Sequence, residues 1–138
     1  MKEFLVDTNC LLSYLTDRDQ RQCAVIEPYI EGAAKLSLTL HVTSSVVTEL
    51  IYVLRSVYGR PDREVADLIA AVFATPGIAY LECHPIETIL ELWPRSLPDY
   101  GNAALAAVAR VRQLQVLTFD KAFARAMARA QVAHLLLA

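Results

Sequence analysis

Four acidic residues from distant parts of the sequence occupy positions from which their side chains could meet. Asp7 follows the apolar run EFLV, Asp120 follows VLTF, Glu49 lies one turn into a predicted helix, and Asp99 begins another. In an open parallel sheet, functional groups gather at the carboxyl ends of the strands, so these carboxylates could share one edge. Carboxylates that converge repel one another and require a positive charge to balance them. A site built only from oxygen ligands selects a hard divalent ion, Mg²⁺ or Mn²⁺.

A divalent ion at such an edge would be most useful with a phosphodiester substrate. It can neutralise the scissile phosphate, lower the pKa of an attacking water and stabilise the leaving oxygen. Other chemistries lack their motifs, because the chain has no glycine-rich nucleotide loop and no G-x-S-x-G sequence. His41, His84 and His134 form no H-E-x-x-H pattern and are interpreted as structural.

Three of the four acids also have an ordinary structural interpretation. Asp7 and Asp120 each stand directly before a predicted helix and could cap it. The sequence from Ser96 to Asp99 has the S-x-x-D spacing of a capping box. Glu49 fits no cap, since it lies four residues after Ser45 on the border of an apolar helix face. If all four acids were caps or surface residues, the protein would bind no metal ion.

The composition predicts a soluble, cytoplasmic protein. The hydrophobic fraction of 55% exceeds the usual share of roughly 45–50%, which favours a partner interface such as that of a homodimer. The net charge of −2 gives no overall attraction to nucleic acid, so a polyanion would have to be held by local arginines or by metal ions. Cys10, Cys23 and Cys83 form no C-x-x-C pair and are interpreted as reduced thiols. No apolar run reaches the ~18 residues of a membrane helix.

Short apolar runs alternate with longer segments of helical periodicity, and hairpin signals are absent. This pattern predicts a single domain over residues 1–138, a three-layer α/β/α sandwich with a central parallel sheet. Ser44 or Ser45 is the expected cap of the third helix. The predicted strands are 3–6, 36–43, 78–83, 115–119 and 132–137, and the predicted helices are 8–15, 20–33, 44–59, 61–77, 85–93, 98–114 and 121–130.

Four blocks, FLVDTNCLLSYL, VTSSVVTELIYVLRSVYG, LPDYGNAALAAVAR and VLTFDKAF, resemble in order and spacing the blocks of PIN domains. The resemblance is greatest to the toxin nucleases of the VapC type and extends from Phe4 to at least Phe123. It implies a metal-dependent endoribonuclease, usually dimeric, that forms the toxin of a type II toxin–antitoxin pair and is inhibited by a cognate antitoxin. Carried over by position, the acids that would surround Mg²⁺ or Mn²⁺ and act in catalysis are Asp7, Glu49, Asp99 and Asp120.

The resemblance also implies supporting residues and exposes one departure. Thr8 and Asn9 would support Asp7, and the Thr118 hydroxyl would lie beside the active edge. The family often has a second acid three residues after the third, whereas this chain has Asn102 there. An amide oxygen can bind Mg²⁺, but the absence of that negative charge should weaken the affinity for metal. Gly101 is unusual inside a helix and costs about 1 kcal/mol relative to alanine.

Two functional interpretations therefore remain open at the level of sequence. The first is an RNA-cleaving toxin. The alternative is a PIN-like module with weakened catalysis that binds RNA or a protein, which Asn102 and the acidic net charge favour. Arginines that could contact RNA are Arg18, Arg21, Arg55, Arg60, Arg95 and Arg125.

Overall fold

Five parallel strands form one sheet in the computed structural model of the protein, which describes residues 2–138. Within these residues no helix is long and apolar enough to cross a membrane. The strands are β1 (Lys2–Val6), β2 (Leu38–Thr43), β3 (Ile78–Leu81), β4 (Gln115–Thr118) and β5 (His134–Leu136). The helices are α1 (Thr8–Leu15), α2 (Gln20–Ala34), α3 (Ser44–Ser56), α4 (Asp62–Ala74), α5 (Ile86–Leu92), α6 (Tyr100–Arg112) and α7 (Lys121–Arg129).

The strand order is β3-β2-β1-β4-β5, so the chain winds outward from β1 in both directions. Leu5 lies opposite His41 of β2 and Val116 of β4 in the register. The chain passes from β1 to β2 and β3 on one side, and the connection from β3 then crosses over β2 and β1 to place β4 on the other side. The carboxyl ends of β1 and β4 border the crevice where open α/β sheets bind their ligands. The predicted α/β/α sandwich with a central parallel sheet is confirmed.

The core explains why the strands are continuous apolar runs. Leu5, Val6, Leu40 and Leu117 are completely buried, as expected for a parallel sheet covered on both faces by helices. Helix α6 is buried along almost its whole length, from Ala103 to Ala109. Its small side chains allow it to pack against both α3 and β4, which carries its first turn close to the sheet edge.

Two boundary predictions were wrong because local hydrogen bonding decided them. The second strand begins at Leu38, since Leu36 takes a left-handed conformation (φ 60°) and Ser37 N–H donates to the Gly32 carbonyl to close α2. The cap of α3 is Thr43, whose hydroxyl accepts from Val46 N–H at 3.4 Å, and not Ser44 or Ser45. The remaining strands and helices were predicted to within a few residues.

The cysteines are free thiols, as predicted. Cys10 is completely buried in α1 and donates through its sulfur to the Leu117 carbonyl at 3.4 Å. Burial raises the pKa of the Cys10 thiol far above its usual range, so it is unreactive. Its role is to pack α1 against β4.

Candidate functional site

Asp7 is the most buried of the four acids, with only 7% of its surface exposed. It ends β1 and is the N-cap of α1, and its Oδ1 accepts from Thr8 N–H at 2.8 Å. Its Oδ2 accepts from the Thr118 hydroxyl at 2.7 Å. Both oxygens are therefore fixed by short hydrogen bonds, and the carboxylate points into the crevice beside β4.

Burial raises the pKa of Asp7 from the ordinary 3.8 to about 6. The hydrogen bonds from Thr118 and Thr8 pull this pKa down, while the negative charges of Glu49 and Asp120 push it up. The net direction shows that the surroundings hold too little positive charge to stabilise the carboxylate.

Thr118 joins the ends of the two central strands. Its hydroxyl donates to Asp7 and accepts from Asp120 N–H at 3.0 Å, and the residue has no exposed surface. Asp120 in turn caps α7, with its Oδ1 accepting from Phe123 N–H at 3.0 Å. Thr118 therefore positions Asp7 and the turn that carries Asp120.

Asp99 is the N-cap of α6, and its Oδ1 accepts from Asn102 N–H at 2.9 Å. The structural interpretation of Asp99 as part of a helix cap is thus correct, although the capping residue is Asp99 and not Ser96. Asp99, Asn102 and Asp120 line one cleft of about 100 Å³. The start of α7 and the first turn of α6 thus face each other across this cleft, although about 20 residues separate them in the chain.

Glu49 is placed at the same edge by α3. Partial burial raises the pKa of its carboxyl group, the Thr8 hydroxyl lowers it, and the charge of Asp99 raises it further. The Thr8 Oγ1 atom is buried and makes no standard hydrogen bond within residues 2–138. The Thr8 hydroxyl therefore faces the Glu49 carboxylate without a well-formed hydrogen bond to it, and a water molecule or a hydrated ion could bridge the two groups.

Gly101 was left unexplained by the sequence, and its surroundings give the reason for it. A Cβ atom at this position would lie 3.2 Å from Asp99 Oδ1 and 3.6 Å from Glu49 Oε2. Because glycine has no side chain, both carboxylates can lie close to the backbone at this position. The one signal in the sequence was a glycine two residues after an acid in an alanine-rich helix.

Asn9 occupies the first turn of α1 and is half-buried. Its carbonyl oxygen accepts from the Arg18 guanidinium at 3.3 Å. The sequence did not single out this contact, which brings an arginine from the loop after α1 back to the acidic edge.

No lysine or arginine neutralises the four acids within residues 2–138. The ion pairs found there involve other carboxylates, those of Glu3, Asp62, Glu64, Asp67 and Glu91. The four acids are connected pairwise: Asp7 interacts electrostatically with Glu49 and Asp120, Glu49 interacts with Asp99, and Asp99 lines the same cleft as Asp120.

The donor set fits a hard divalent cation. In residues 2–138 no three acidic, histidine or cysteine side chains converge tightly enough to enclose an ion by themselves. Mg²⁺ is commonly held by one or two carboxylates and completes its shell with water and substrate phosphate. The uncompensated acids, with the buried Thr8 hydroxyl facing Glu49, match that kind of open site.

A parallel α/β/α sheet with an acidic edge at its central crevice defines the class of this protein. The chain belongs to the PIN domain family, whose profile matches residues 4–128. A search of curated protein sequences found no significant match.

Solved structures share this fold over nearly the whole chain. VapBC2 from Rickettsia felis, bound to a DNA fragment from its promoter, superposes with a TM-score of 0.71 at 14% identity and covers 99% of both chains. VapC20 from Mycobacterium tuberculosis, a Sarcin-Ricin loop cleaving toxin, has a TM-score of 0.65 at 17% identity over 89% of this chain and 94% of its own. FitAcB from Neisseria gonorrhoeae has a TM-score of 0.62 at 18% identity over 96% of both chains.

Proposed function

We propose that this protein is a metal-dependent endoribonuclease and the toxin of a type II toxin–antitoxin pair. The observation that carries the proposal is the acidic edge, where Asp7 and Glu49 have raised pKa values and no cation within residues 2–138 compensates the four carboxylates. Membership of the PIN family and the likeness in fold to a Sarcin-Ricin loop cleaving toxin support RNA as the substrate.

Asp7, Glu49, Asp99 and Asp120 would hold the ion, Mg²⁺ or Mn²⁺. When bound, the ion would supply positive charge against the scissile phosphate and acidify an attacking water. Thr118 and Thr8 N–H fix the Asp7 carboxylate in one orientation, so no reorganisation is needed when a ligand arrives. Asp99 and Asp120 each use one oxygen to cap a helix, which leaves the other oxygen for the site.

Cleavage of total RNA with mapping of the cut sites tests the proposal. Wild-type protein should cut RNA with Mn²⁺ or Mg²⁺ present, and excess chelator should stop it. Asp7→Asn keeps the shape of the side chain but removes its charge, and we expect the rate to fall by at least ~100-fold. Asp67→Asn is the matched control, because Asp67 is exposed on α4 and pairs with Arg63 at 3.6 Å, away from the acidic edge. Full activity of Asp7→Asn would refute the nuclease assignment.

A second candidate function is a PIN-like module that binds RNA or a protein with weakened catalysis. Asn102 favours it, because this residue lines the cleft between Asp99 and Asp120 and contributes no charge there. Asn102→Asp distinguishes the two functions. A large gain in cleavage would indicate a weakened natural site, whereas an unchanged rate would indicate that the amide is an adequate ligand.

The partners follow from the same proposal. Several proteins of this fold are named as complexes, VapBC and FitAB, and we infer an antitoxin partner for this chain. Co-expression with the product of a short reading frame immediately upstream should yield one complex without nuclease activity. A homodimer is also expected, and light scattering should then give twice the chain mass of 15.3 kDa.

A further inference from the structure

Some positive charges of the molecule are paired with carboxylates and others are not. Arg55, Arg60, Arg63 and Arg110 each form an ion pair with an acid of α4 or α5. The other nine lysines and arginines have no carboxylate within the ion-pair distance of 4.0 Å in residues 2–138, and, besides Lys2, Lys35, Arg95, Arg112 and Arg129, four of them lie near the carboxyl edge of the sheet. These are Arg18, Arg21, Lys121 and Arg125, and we call them the basic track.

Three residues of the basic track, Arg21, Lys121 and Arg125, line two adjoining clefts that extend from the carboxyl edge of the sheet along α7 and β5. The first has a volume of about 260 Å³ and is lined by Arg21, Lys121 and Phe119, with Asp19 as its one acidic side chain among residues 2–138. The second has a volume of about 300 Å³ and is lined by Lys121 and Arg125. Lys121 belongs to both clefts and directly follows Asp120. The track therefore begins at the acidic site and runs outward along α7.

Arg21 and Lys121 occupy unfavourable positions in the free protein. Arg21 lies in the first turn of α2 and Lys121 is the first residue of α7, where the helix dipole is positive. The acids at these helix starts are the N-caps, Asp19 and Asp120, and neither forms an ion pair with Arg21 or Lys121 in residues 2–138. The cations at the amino edge of the sheet have the opposite arrangement, since Lys35, Arg112 and Arg129 lie at helix carboxyl ends, where the dipole favours them.

Arg18 connects the track to the acidic site and is held in place by neutral groups. Its Nε donates to Ser13 Oγ at 2.9 Å, and its terminal nitrogen donates to Asn9 O and Gln22 Oε1 at 3.3 Å each. Ser13 donates to the same Gln22 oxygen at 2.7 Å, which makes the arrangement rigid. Neutral acceptors position the guanidinium without cancelling its charge, as a preformed anion site requires.

We propose that the basic track binds the phosphate backbone of the RNA strand on one side of the scissile bond. The inference rests on the proposed function for the identity of the anion. An extended polyanion is favoured over a single phosphate because the unpaired cations are spread over two clefts and not gathered in one. Phe119, half-buried in the first cleft, offers an apolar ring against which a base can stack. The chain can thus bind RNA locally despite its net charge of −2.

Equilibrium binding of a labelled RNA of about 20 nucleotides, followed by anisotropy over a range of salt concentrations, tests the track. All proteins carry Asp7→Asn so that the RNA is not cut. The track variant combines Arg21→Gln, Lys121→Gln and Arg125→Gln, all exposed side chains whose removal breaks no hydrogen bond in residues 2–138. The control variant combines Lys35→Gln, Arg112→Gln and Arg129→Gln, which change the net charge equally at the opposite edge.

The track variant should bind at least ~10-fold more weakly at about 100 mM salt. Its slope of log K against log salt should fall by about 0.7 for each phosphate that the protein no longer neutralises, or about 2 in total. The control variant should differ from its parent by less than about twofold. Equal reductions in the two variants would overturn the track, since net charge alone would then explain the binding. Weaker binding with an unchanged salt slope would also overturn it.

Failure of the track and failure of the nuclease proposal give different results. If the wild type cuts RNA but the two triple variants bind RNA equally well, the nuclease stands and the track is wrong. If the wild type never cuts RNA, yet only the track variant binds RNA more weakly, the track stands and the nuclease is wrong. Thermal unfolding of each variant verifies its folding, and Arg21→Gln and Arg125→Gln as single changes replace the triple variant if it is unstable.

Discussion

Asp7 serves the fold and the site at once, and the two roles have opposite effects on stability. As the N-cap of α1 it satisfies Thr8 N–H, and it accepts a second hydrogen bond from Thr118. As a buried carboxylate with a pKa raised to about 6, it is destabilising when charged. A difference of about two pKa units corresponds to roughly 3 kcal/mol. Burying this charge destabilises the metal-free protein, and a cation bound to Asp7 would offset that destabilisation.

The pH dependence of unfolding should reveal this cost. An acid whose pKa is raised on folding contributes stability that is fully present below its unfolded pKa of 3.8 and is lost as pH rises through about 6. In chelator at about pH 7.5, Asp7→Asn should therefore be more stable than wild type by about 1–3 kcal/mol, with roughly half of that gain remaining at about pH 5. Urea unfolding at the two pH values measures the difference, and Asp67→Asn should show neither effect. A destabilised Asp7→Asn protein at the higher pH would contradict the prediction.

Gly101 should be important for the proposed metal site and not for the stability of the fold. The helix tolerates alanine at this position, because Gly101 has ordinary helical backbone angles and alanine has the higher helix propensity. The added methyl group would instead crowd Asp99 Oδ1, which would lie 3.2 Å from it and would have to shift by a few tenths of an ångström. It would also fill the space beside Glu49 Oε2, at an ordinary contact distance of 3.6 Å. We expect Gly101→Ala to retain or gain up to about 1 kcal/mol in stability. Its affinity for Mn²⁺, measured by calorimetry, should fall by about 10-fold or more. Unchanged metal affinity would show that the glycine is not needed for space.

At the scale of elements, the sequence predicted most of what the structure contains. Strands and helices were recognisable because the periodicity of apolar residues follows directly from which faces are buried. The acids at the ends of β1 and β4 could be placed on one edge because parallel strands align their carboxyl ends. The role of Gly101 could not be predicted, since it depends on how closely α3 approaches the start of α6. The contact of Arg18 with Asn9 could not be predicted either, since it depends on how the loop after α1 folds back.

The N-cap of α3 was predicted wrongly from the sequence, and its identity in the structure leads to a prediction for that helix. Thr43 is buried and its hydroxyl accepts from Val46 N–H, whereas Ser44 only begins the helix. Thr43→Val preserves the shape of the side chain and removes the acceptor, so we expect the free energy of urea unfolding to fall by about 1 kcal/mol. Ser44→Ala should change stability by less than about 0.5 kcal/mol. Because α3 carries Glu49, the Thr43 variant should also bind Mn²⁺ more weakly. If Thr43→Val and Ser44→Ala lowered the free energy of unfolding equally, Thr43 would not be the main cap of α3.

For the whole molecule, the proposed metal site at the acidic edge implies that metal binding is coupled to folding. The metal-free protein keeps four uncompensated carboxylates at one edge of its sheet, and their mutual repulsion disappears when a dication binds only the folded state. At about 100 times the dissociation constant, such binding adds about 2.7 kcal/mol, which is worth roughly 3 °C in melting temperature per kcal/mol for a chain of this size.

Melting temperatures in Mn²⁺ and in chelator should therefore reverse the order of two proteins. In chelator at about pH 7.5, Asp7→Asn should melt above wild type, because wild type carries the buried charge. With saturating Mn²⁺, wild type should rise by several degrees and Asp7→Asn by much less, so that the difference closes or inverts. At about pH 5 the rise of wild type should shrink, since protons compete with the ion for a carboxyl group whose pKa is about 6. If Mn²⁺ raised the melting temperatures of both proteins equally, the ion would bind away from Asp7. The acidic edge would then not be the reason why metal stabilises this fold.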